Sequence, residues 1–288
     1  MPNATFGGLR VLSLESRRAQ EIAKLIANHG CEPVVAPALR EVPLESNAEA
    51  LAFADALVRG EFDLVILLTG AGTRTLAGVV GGAGKREAFL DALRRVPVVV
   101  RGPKPLAVLR ELNVPAAIVV PEPNTWRELL RAVDDAVSGK RIAIRGARVA
   151  VQEYGVSNPE LLAGLNERGA HVVRVPVYQW ALPEDLAPLE NAIRAICERR
   201  LDIVLFTTSV QVTHMMQVAK EMDLEAALRR GLNGMVIASI GPSTTESLRH
   251  QGFAPDLEPV HPKMGFLVEL AATQGPILLA AKRKPSQN

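Results

Sequence analysis

DLVILLTGAGTRTL, residues 63–76, and DIVLFTTSVQVTHM, residues 202–215, decide the fold. Each opens on an aspartate and runs through branched or aromatic apolar residues. Each then meets threonine and small residues of the kind that start a helix. An apolar run this short, without polar alternation, reads as a strand covered on both faces, which means parallel sheet under helices. The two segments lie 139 residues apart (202 − 63).

The same spacing recurs. RGPKPLAVLRELNVPAAIVVPEPNTWRELL from Arg101 parallels IGPSTTESLRHQGFAPDLEPVHPKMGFLVEL from Ile240, and the glycines of the two Gly-Pro pairs are again 139 apart (241 − 102). A third pairing sets GLRVLSL from Gly8 against GKRIAIR from Gly139. Each of those is followed by a helix and then a second strand, Glu32–Ala36 and His171–Val175. Two copies of one α/β module are therefore expected.

Other apolar runs, Arg10–Leu14, Pro97–Val100, Arg141–Arg145 and Val236–Ile240, read as strands. Between them lie helical patterns. Residues 16–29 place Ala19, Ile22, Ala23, Ile26 and Ala27 on one stripe, with Gly30 as a stop. Lys104–Leu112, Trp126–Val137, Leu161–Arg168, Leu189–Arg199 and Thr244–His250 behave alike. Alternating strands and helices imply open sheets with right-handed crossovers.

Two extended, proline-bearing stretches, PALREVP at residues 37–43 and VPVYQW at residues 175–180, follow the second strand of each copy. Proline suits edges and linkers. The economical arrangement exchanges the first units of the two copies. Residues 1–39 then join 178–275 in one α/β domain, 43–174 form the other, and 275–288 are a frayed tail. The fold expected is α/β, two similar open parallel-sheet domains joined by a two-stranded linker, with a site in the interdomain cleft.

Composition bounds the chemistry. A length of 288 residues suits two domains. Aromatics make up 4% and net charge is +2 with mixed signs, which disfavours nucleic-acid binding. Cys31 and Cys197 are the only cysteines, and His29, His171, His214, His250 and His261 are scattered, so no metal is expected. No signal-peptide pattern opens the chain, and the apolar stretches Leu64–Leu68 and Ala116–Val120 are too short to span a bilayer. The expectation is a cytoplasmic monomer with no membrane or nucleic-acid partner. VVGGAGKR at residues 79–86 lacks the spacing of a phosphate loop, and neither a dinucleotide fingerprint nor a nucleophile elbow occurs.

Ligands of open α/β sheets bind beyond the carboxyl ends of strands. The residues expected there are Thr69, Gly70, Arg101, Gly102, Lys104, Arg145 and Gly146 in one domain, and Glu15, Arg17, Thr207, Thr208, Ser209, Gly241, Ser243 and Thr244 in the other. Glycine admits a ligand to the backbone, hydroxyls donate, and helix N-termini attract anions. The same serines and threonines also serve as N-caps, so each alone has two readings. Asp63 and Asp202, at the opposite strand ends, read as solvated or capping residues, and Glu15 as a partner for Arg17 or Arg18. Tyr154 follows the predicted Arg145 strand end, and Tyr178 sits in the linker.

The order of these segments resembles the uroporphyrinogen-III synthase family. The most specific stretch is IGPSTTESLRHQG, where Ile240, Gly241, Thr244, Leu248 and Gly252 fit the family pattern and Thr245 replaces its usual alanine. Glu15-Ser16 departs from the Arg-Pro common in relatives. The resemblance implies two domains on a double linker and a cofactor-free cyclisation of hydroxymethylbilane, an eight-carboxylate linear tetrapyrrole, with inversion of the last ring. It implies Tyr178 as the acid for hydroxyl departure and no single indispensable side chain; Tyr154, from its place in the sequence, is a further expected substrate contact. A non-catalytic binder of an anionic small molecule would share the same fold.

Overall fold

The computed structural model describes residues 5–44, 46–153, 155 and 157–283. In chain order these form β1 (Val11–Ser13), α1 (Ala19–Asn28), β2 (Pro33–Val35), β3 (Arg40–Pro43), α2 (Ala48–Val58), β4 (Leu64–Leu67), α3 (Gly70–Gly82), α4 (Arg86–Arg95), β5 (Val98–Val100), α5 (Pro103–Glu111), β6 (Ile118–Val119) and α6 (Trp126–Ser138). The order continues with β7 (Arg148–Gln152), α7 (Pro159–Glu167), β8 (His171–Val175), β9 (Tyr178–Ala181), α8 (Ala187–Cys197), β10 (Ile203–Phe206), α9 (Ser209–Glu221), α10 (Glu225–Asn233), β11 (Val236–Ser239), α11 (Pro242–His250) and α12 (Met264–Lys282).

Contacts divide the chain into two compact units. One joins the residues up to Arg40 with those from Ala181 onward, and the other is Glu41–Trp180. The first contains a parallel sheet in the order β11-β10-β1-β2, and the second a parallel sheet in the order β6-β5-β4-β7-β8. β3 and β9 form a separate two-stranded sheet.

Burial explains why the runs read as strands. Leu64, Val65, Ile66 and Leu67 are all within 1% of complete burial, as are Ile203, Val204, Leu205 and Phe206. Removing each such side chain from water contributes about 1.5–3 kcal/mol. In the first unit, Ile22 and Ile26 of α1 pack with α12 on one face, while α8, α9 and α10 cover the other. In the second unit, α2 to α5 pack on one face and α6 and α7 on the other.

The internal repeat is kept in register. Val11 pairs with Ile203, and Val149 pairs with Leu64 in the same way. Val99 pairs with Ile118, and the isolated bridge of Ala238 to Leu257 repeats that pair 139 residues on (257 − 118). The aspartates at the strand starts repeat too. Asp202 Oδ2 accepts the Arg10 N–H at 2.8 Å, and Asp63 Oδ2 accepts the Arg148 N–H at 2.8 Å. Both therefore cap a neighbouring strand.

Three sequence expectations are corrected. Arg141–Arg145 is a loop, and the strand is β7, which begins after Gly146. GLRVLSL thus matches GARVAVQ, with a spacing of 138 (146 − 8), and Arg145 and Gly146 stand at the amino end of β7. The tail expected from Gly275 is instead helix to Lys282, because Leu279 is buried and Gly275 packs so closely on Ile203 that a Cβ would lie 2.6 Å from its Cδ1. α12 is also long and apolar enough to cross a membrane, which the shorter apolar runs did not suggest; 39% of its most apolar stretch is buried inside the protein.

Candidate functional site

In the second unit, β4 delivers the chain to Thr69, whose extended backbone caps α3. The Thr69 hydroxyl accepts the Gly72 N–H at 3.0 Å. Gln152, at the end of β7, is 1% exposed, and its Oε1 accepts the Thr69 N–H at 3.4 Å. Gly72 makes this possible: a Cβ there would stand 2.0 Å from Gln152 Nε2. Gly70 lets α3 approach α5, since its Cβ would lie 2.8 Å from the Lys104 carbonyl oxygen. Gly102 precedes Pro103 at the start of α5, which has no side-chain cap. The Asn124 amide leaves no room for a Cβ on Gly102, and with its nitrogen turned toward the carbonyls of Arg101 and Val120 it donates to them at 2.8 and 2.9 Å. Arg101 is half-buried and Lys104 exposed.

The first unit reaches the same end with the glutamine moved. Gln211 is the third residue of α9, as Gly72 is of α3. Its Oε1 accepts the Thr207 N–H at 2.7 Å and the Thr208 N–H at 3.3 Å, and its Nε2 donates to the Leu14 carbonyl at 3.0 Å. Leu14 occupies the position of Gln152, 138 residues earlier (152 − 14). One amide therefore satisfies the helix start in each unit, supplied by the helix in one and by the neighbouring strand in the other. Thr208 completes a capping box with Gln211. The hydroxyls of Thr69 and Thr208 thus serve the helices they precede, as the N-cap reading allows.

Gly241 mirrors Gly102. It precedes Pro242 at the start of α11, which also lacks a side-chain cap. Ser243 is exposed there, whereas Thr244 and Thr245 are buried, and the Thr245 hydroxyl donates to Glu258. Ser209 is half-buried at the start of α9, and its carbonyl accepts the Ser247 hydroxyl at 3.3 Å. Arg17 is exposed in the turn before α1. Tyr154 lies outside the described residues.

Sequence reasoning missed a second repeated feature at these ends. Glu15 and Glu153 follow β1 and β7 with the spacing of 138 (153 − 15). Glu153 is 4% exposed and accepts Arg174 through both oxygens at 2.9 Å, together with the Ser157 hydroxyl at 2.8 Å. Hydrogen bonding to that carboxylate raises the Arg174 guanidinium above its ordinary value. Glu15 accepts the Thr207 hydroxyl and the Arg18 N–H. The expected ion pair with Arg17 or Arg18 is not what binds it: the Arg18 guanidinium pairs with Glu21, and among the described residues Glu15 has no ion pair. Aligning LSLES with AVQEY at the corrected spacing reveals both acids.

Tyr178 is 4% exposed and belongs to the hydrophobic core of the second unit with Val175 and Val177. Its ring meets Trp180 edge-on, with centroids 5.4 Å apart. Trp180 in turn lies against Gly155, where a Cβ would stand 2.3 Å from the indole. The linker aromatics are thus rigidly mounted.

Chemically, the starts of α5 and α11 are suited to anions. Each exposed helix N-terminus contributes about 0.3–1 kcal/mol toward a negative group.

Comparison with known proteins identifies the family. The family model of uroporphyrinogen-III synthase HemD matches residues 20–269. A putative uroporphyrinogen-III synthase of Methanothermobacter thermautotrophicus is 30% identical over 263 residues, covering 90% of this chain and 95% of the relative. An uncharacterised Bacillus subtilis protein, YjjA, is 32% identical over 272 residues, covering 92% and 95%. The crystal structure of a mutant uroporphyrinogen III synthase from Thermus thermophilus superposes with a TM-score of 0.72 at 25% identity, covering 96% of this chain and all of that one. With two parallel-sheet units in the manner of those structures and a family match across most of its length, the chain belongs to the uroporphyrinogen-III synthase family.

Proposed function

We propose that the protein cyclises hydroxymethylbilane to uroporphyrinogen III, inverting ring D as the macrocycle closes with loss of water. The observation that carries this reading, beside the family, is the repeated Gly-Pro helix start. Gly102-Pro103-Lys104 and Gly241-Pro242-Ser243 stand at the same place in two copies of one fold, and neither helix has a side-chain cap. Each unit thereby offers backbone N–H groups and a polar side chain to substrate carboxylates, with Arg101 and Arg17 adding charge.

The chemistry asks mainly for positioning. Holding the ends of a flexible chain in reactive geometry contributes roughly 7–11 kcal/mol. The departing hydroxyl needs a proton, and Tyr178 is the proposed donor. A rigidly packed phenol loses little freedom on reacting, although its ordinary pKa near 10 makes it a modest acid.

The test is incubation with freshly made hydroxymethylbilane, oxidation of the products and separation of the isomers. The inverted isomer should dominate. The uninverted isomer alone, at the spontaneous rate, would refute the assignment and leave a binding protein.

A further inference from the structure

At the strand end of the first unit, hydrogen-bond donors run out before acceptors do. The Thr207 hydroxyl has one proton, and it is given to Glu15 Oε2. The hydroxyl also accepts from Gln211 Nε2 at 2.9 Å, which leaves one lone pair. Gln211 is 1% exposed and all its bonding capacity is used within the protein. Glu15 accepts from Thr207 and from the Arg18 N–H at 3.2 Å, which leaves about half of its four acceptor positions. Glu15 and Thr207 are both only partly buried, so both present a surface.

What remains at this point is acceptor capacity and negative charge. A substrate carboxylate could not be received here, because no donor is left on either side chain. The second unit differs. There the equivalent Glu153 is buried under Arg174 and Ser157, which spend it inside the protein.

We infer that Glu15 and Thr207 form an acceptor pair for pyrrole N–H groups of the substrate, so that the first unit reads the ring nitrogens at β1 while carboxylates are held elsewhere. The inference rests on the reaction proposed above. As the hydroxymethyl C–O bond breaks, its electron pair leaves on oxygen, which takes a proton and departs as water. The ring nitrogen's electrons fill the vacancy, and the ring becomes cationic with its N–H in place. An adjacent carboxylate then holds a more acidic N–H and a positive ring, so its contact is stronger in the transition state than in the ground state. Such a contact shows in kcat rather than in KM.

The experiment is steady-state kinetics of isomer III formation by wild type, Glu15→Gln and Glu15→Asp, with thermal unfolding as the check on folding. Glu15→Gln keeps an acceptor for Thr207 but removes the charge. Its kcat should fall roughly 10- to 100-fold with KM nearly unchanged, as for loss of a charge-assisted hydrogen bond. Glu15→Asp should recover part of the loss, which a purely structural role would not predict. If Glu15→Gln does not fold, Thr207→Val carries the test, with a smaller kcat loss expected at constant KM. Unchanged kcat in the folded variant would overturn the inference, and a lowered KM alone would overturn it by showing that Glu15 only repels the substrate. Wild type that makes only isomer I would sink the proposed reaction and this inference together. Wild type that makes isomer III beside an unaffected Glu15→Gln would sink this inference alone.

Discussion

Exchanging the two glutamine positions of the second unit should reveal a strong coupling. Gly72 and Gln152 there correspond to Gln211 and Leu14 of the first unit. Gln152→Leu alone leaves the Thr69 N–H without its amide partner, at a cost of about 1–3 kcal/mol. Gly72→Gln alone drives a side chain into space that Gln152 fills, with a Cβ only 2.0 Å from its Nε2. Overpacking of that kind costs about 1–3 kcal/mol, less up to ~1 kcal/mol from removing a helical glycine. The double variant rebuilds the arrangement of Gln211 and Leu14. It should be within about 1 kcal/mol of wild type and more stable than either single variant, a coupling on the order of 3 kcal/mol. Urea unfolding followed by tryptophan fluorescence isolates the effect, because Trp126 and Trp180, the only tryptophans, both lie in the second unit. With a slope of roughly 1–3 kcal/mol per molar urea, the midpoints should separate by about 1 M. Additivity of the two single changes within about 0.5 kcal/mol would refute the correspondence.

Tyr178→Phe should lower turnover while leaving unfolding and tryptophan fluorescence close to wild type; wild-type turnover would remove the proton-donor role. Ser243→Ala should change KM by roughly fivefold or less, since one exposed helix-start contact is worth no more than about 1 kcal/mol; complete loss of activity in a folded variant would contradict distributed binding. Arg168 donates to both oxygens of Asp134 at 2.7 Å and holds that carboxyl below its ordinary value. The pair's stabilisation is present above the unfolded pKa, near 3.9, and is lost as pH falls through the lower folded value. Because Asp134 is about half exposed, the loss should be at most about 1 kcal/mol, and Asp134→Asn should flatten that part of the acid unfolding curve.

The sheets were legible because buried parallel strands leave short uniform runs, and because two copies let each run confirm the other. DLVILL and DIVLFT were read correctly for that reason. Arg141–Arg145 misled because its apolar residues, Ile142 and Ile144, alternate with exposed arginines. That alternation seats a loop below the end of α6, where the N–H of Arg141 returns to the Ala136 carbonyl at 2.8 Å and the Gly146 N–H pairs with Gly169. α3 carries five glycines and so looks unlike a helix; tertiary packing against Gln152 and Lys104 outweighs that propensity. At the candidate site the strand-end threonines and glycines were found by position alone. The N-cap roles of Thr69 and Thr208 are local and legible, but what the Thr207 hydroxyl does was hidden, because a hydrogen bond between two distant strand ends leaves no local pattern. Thr207 is bound by Glu15 from 192 positions away.

The division of the first unit between the two ends of the chain sets an order of events during synthesis. Glu41–Trp180 is contiguous, so it can close its core as soon as it leaves the ribosome. The opening forty residues, with β1 still lacking β10, must wait for more than 160 further residues before their principal neighbour exists. Completion comes later still, when Lys282 reaches the Met235 carbonyl and Asp256 and so fastens α12 over the sheet. Nascent chains should therefore pass through a stage in which one half is finished while apolar Val11, Leu12 and Ile22 stand uncovered, the period in which a chaperone has most to protect.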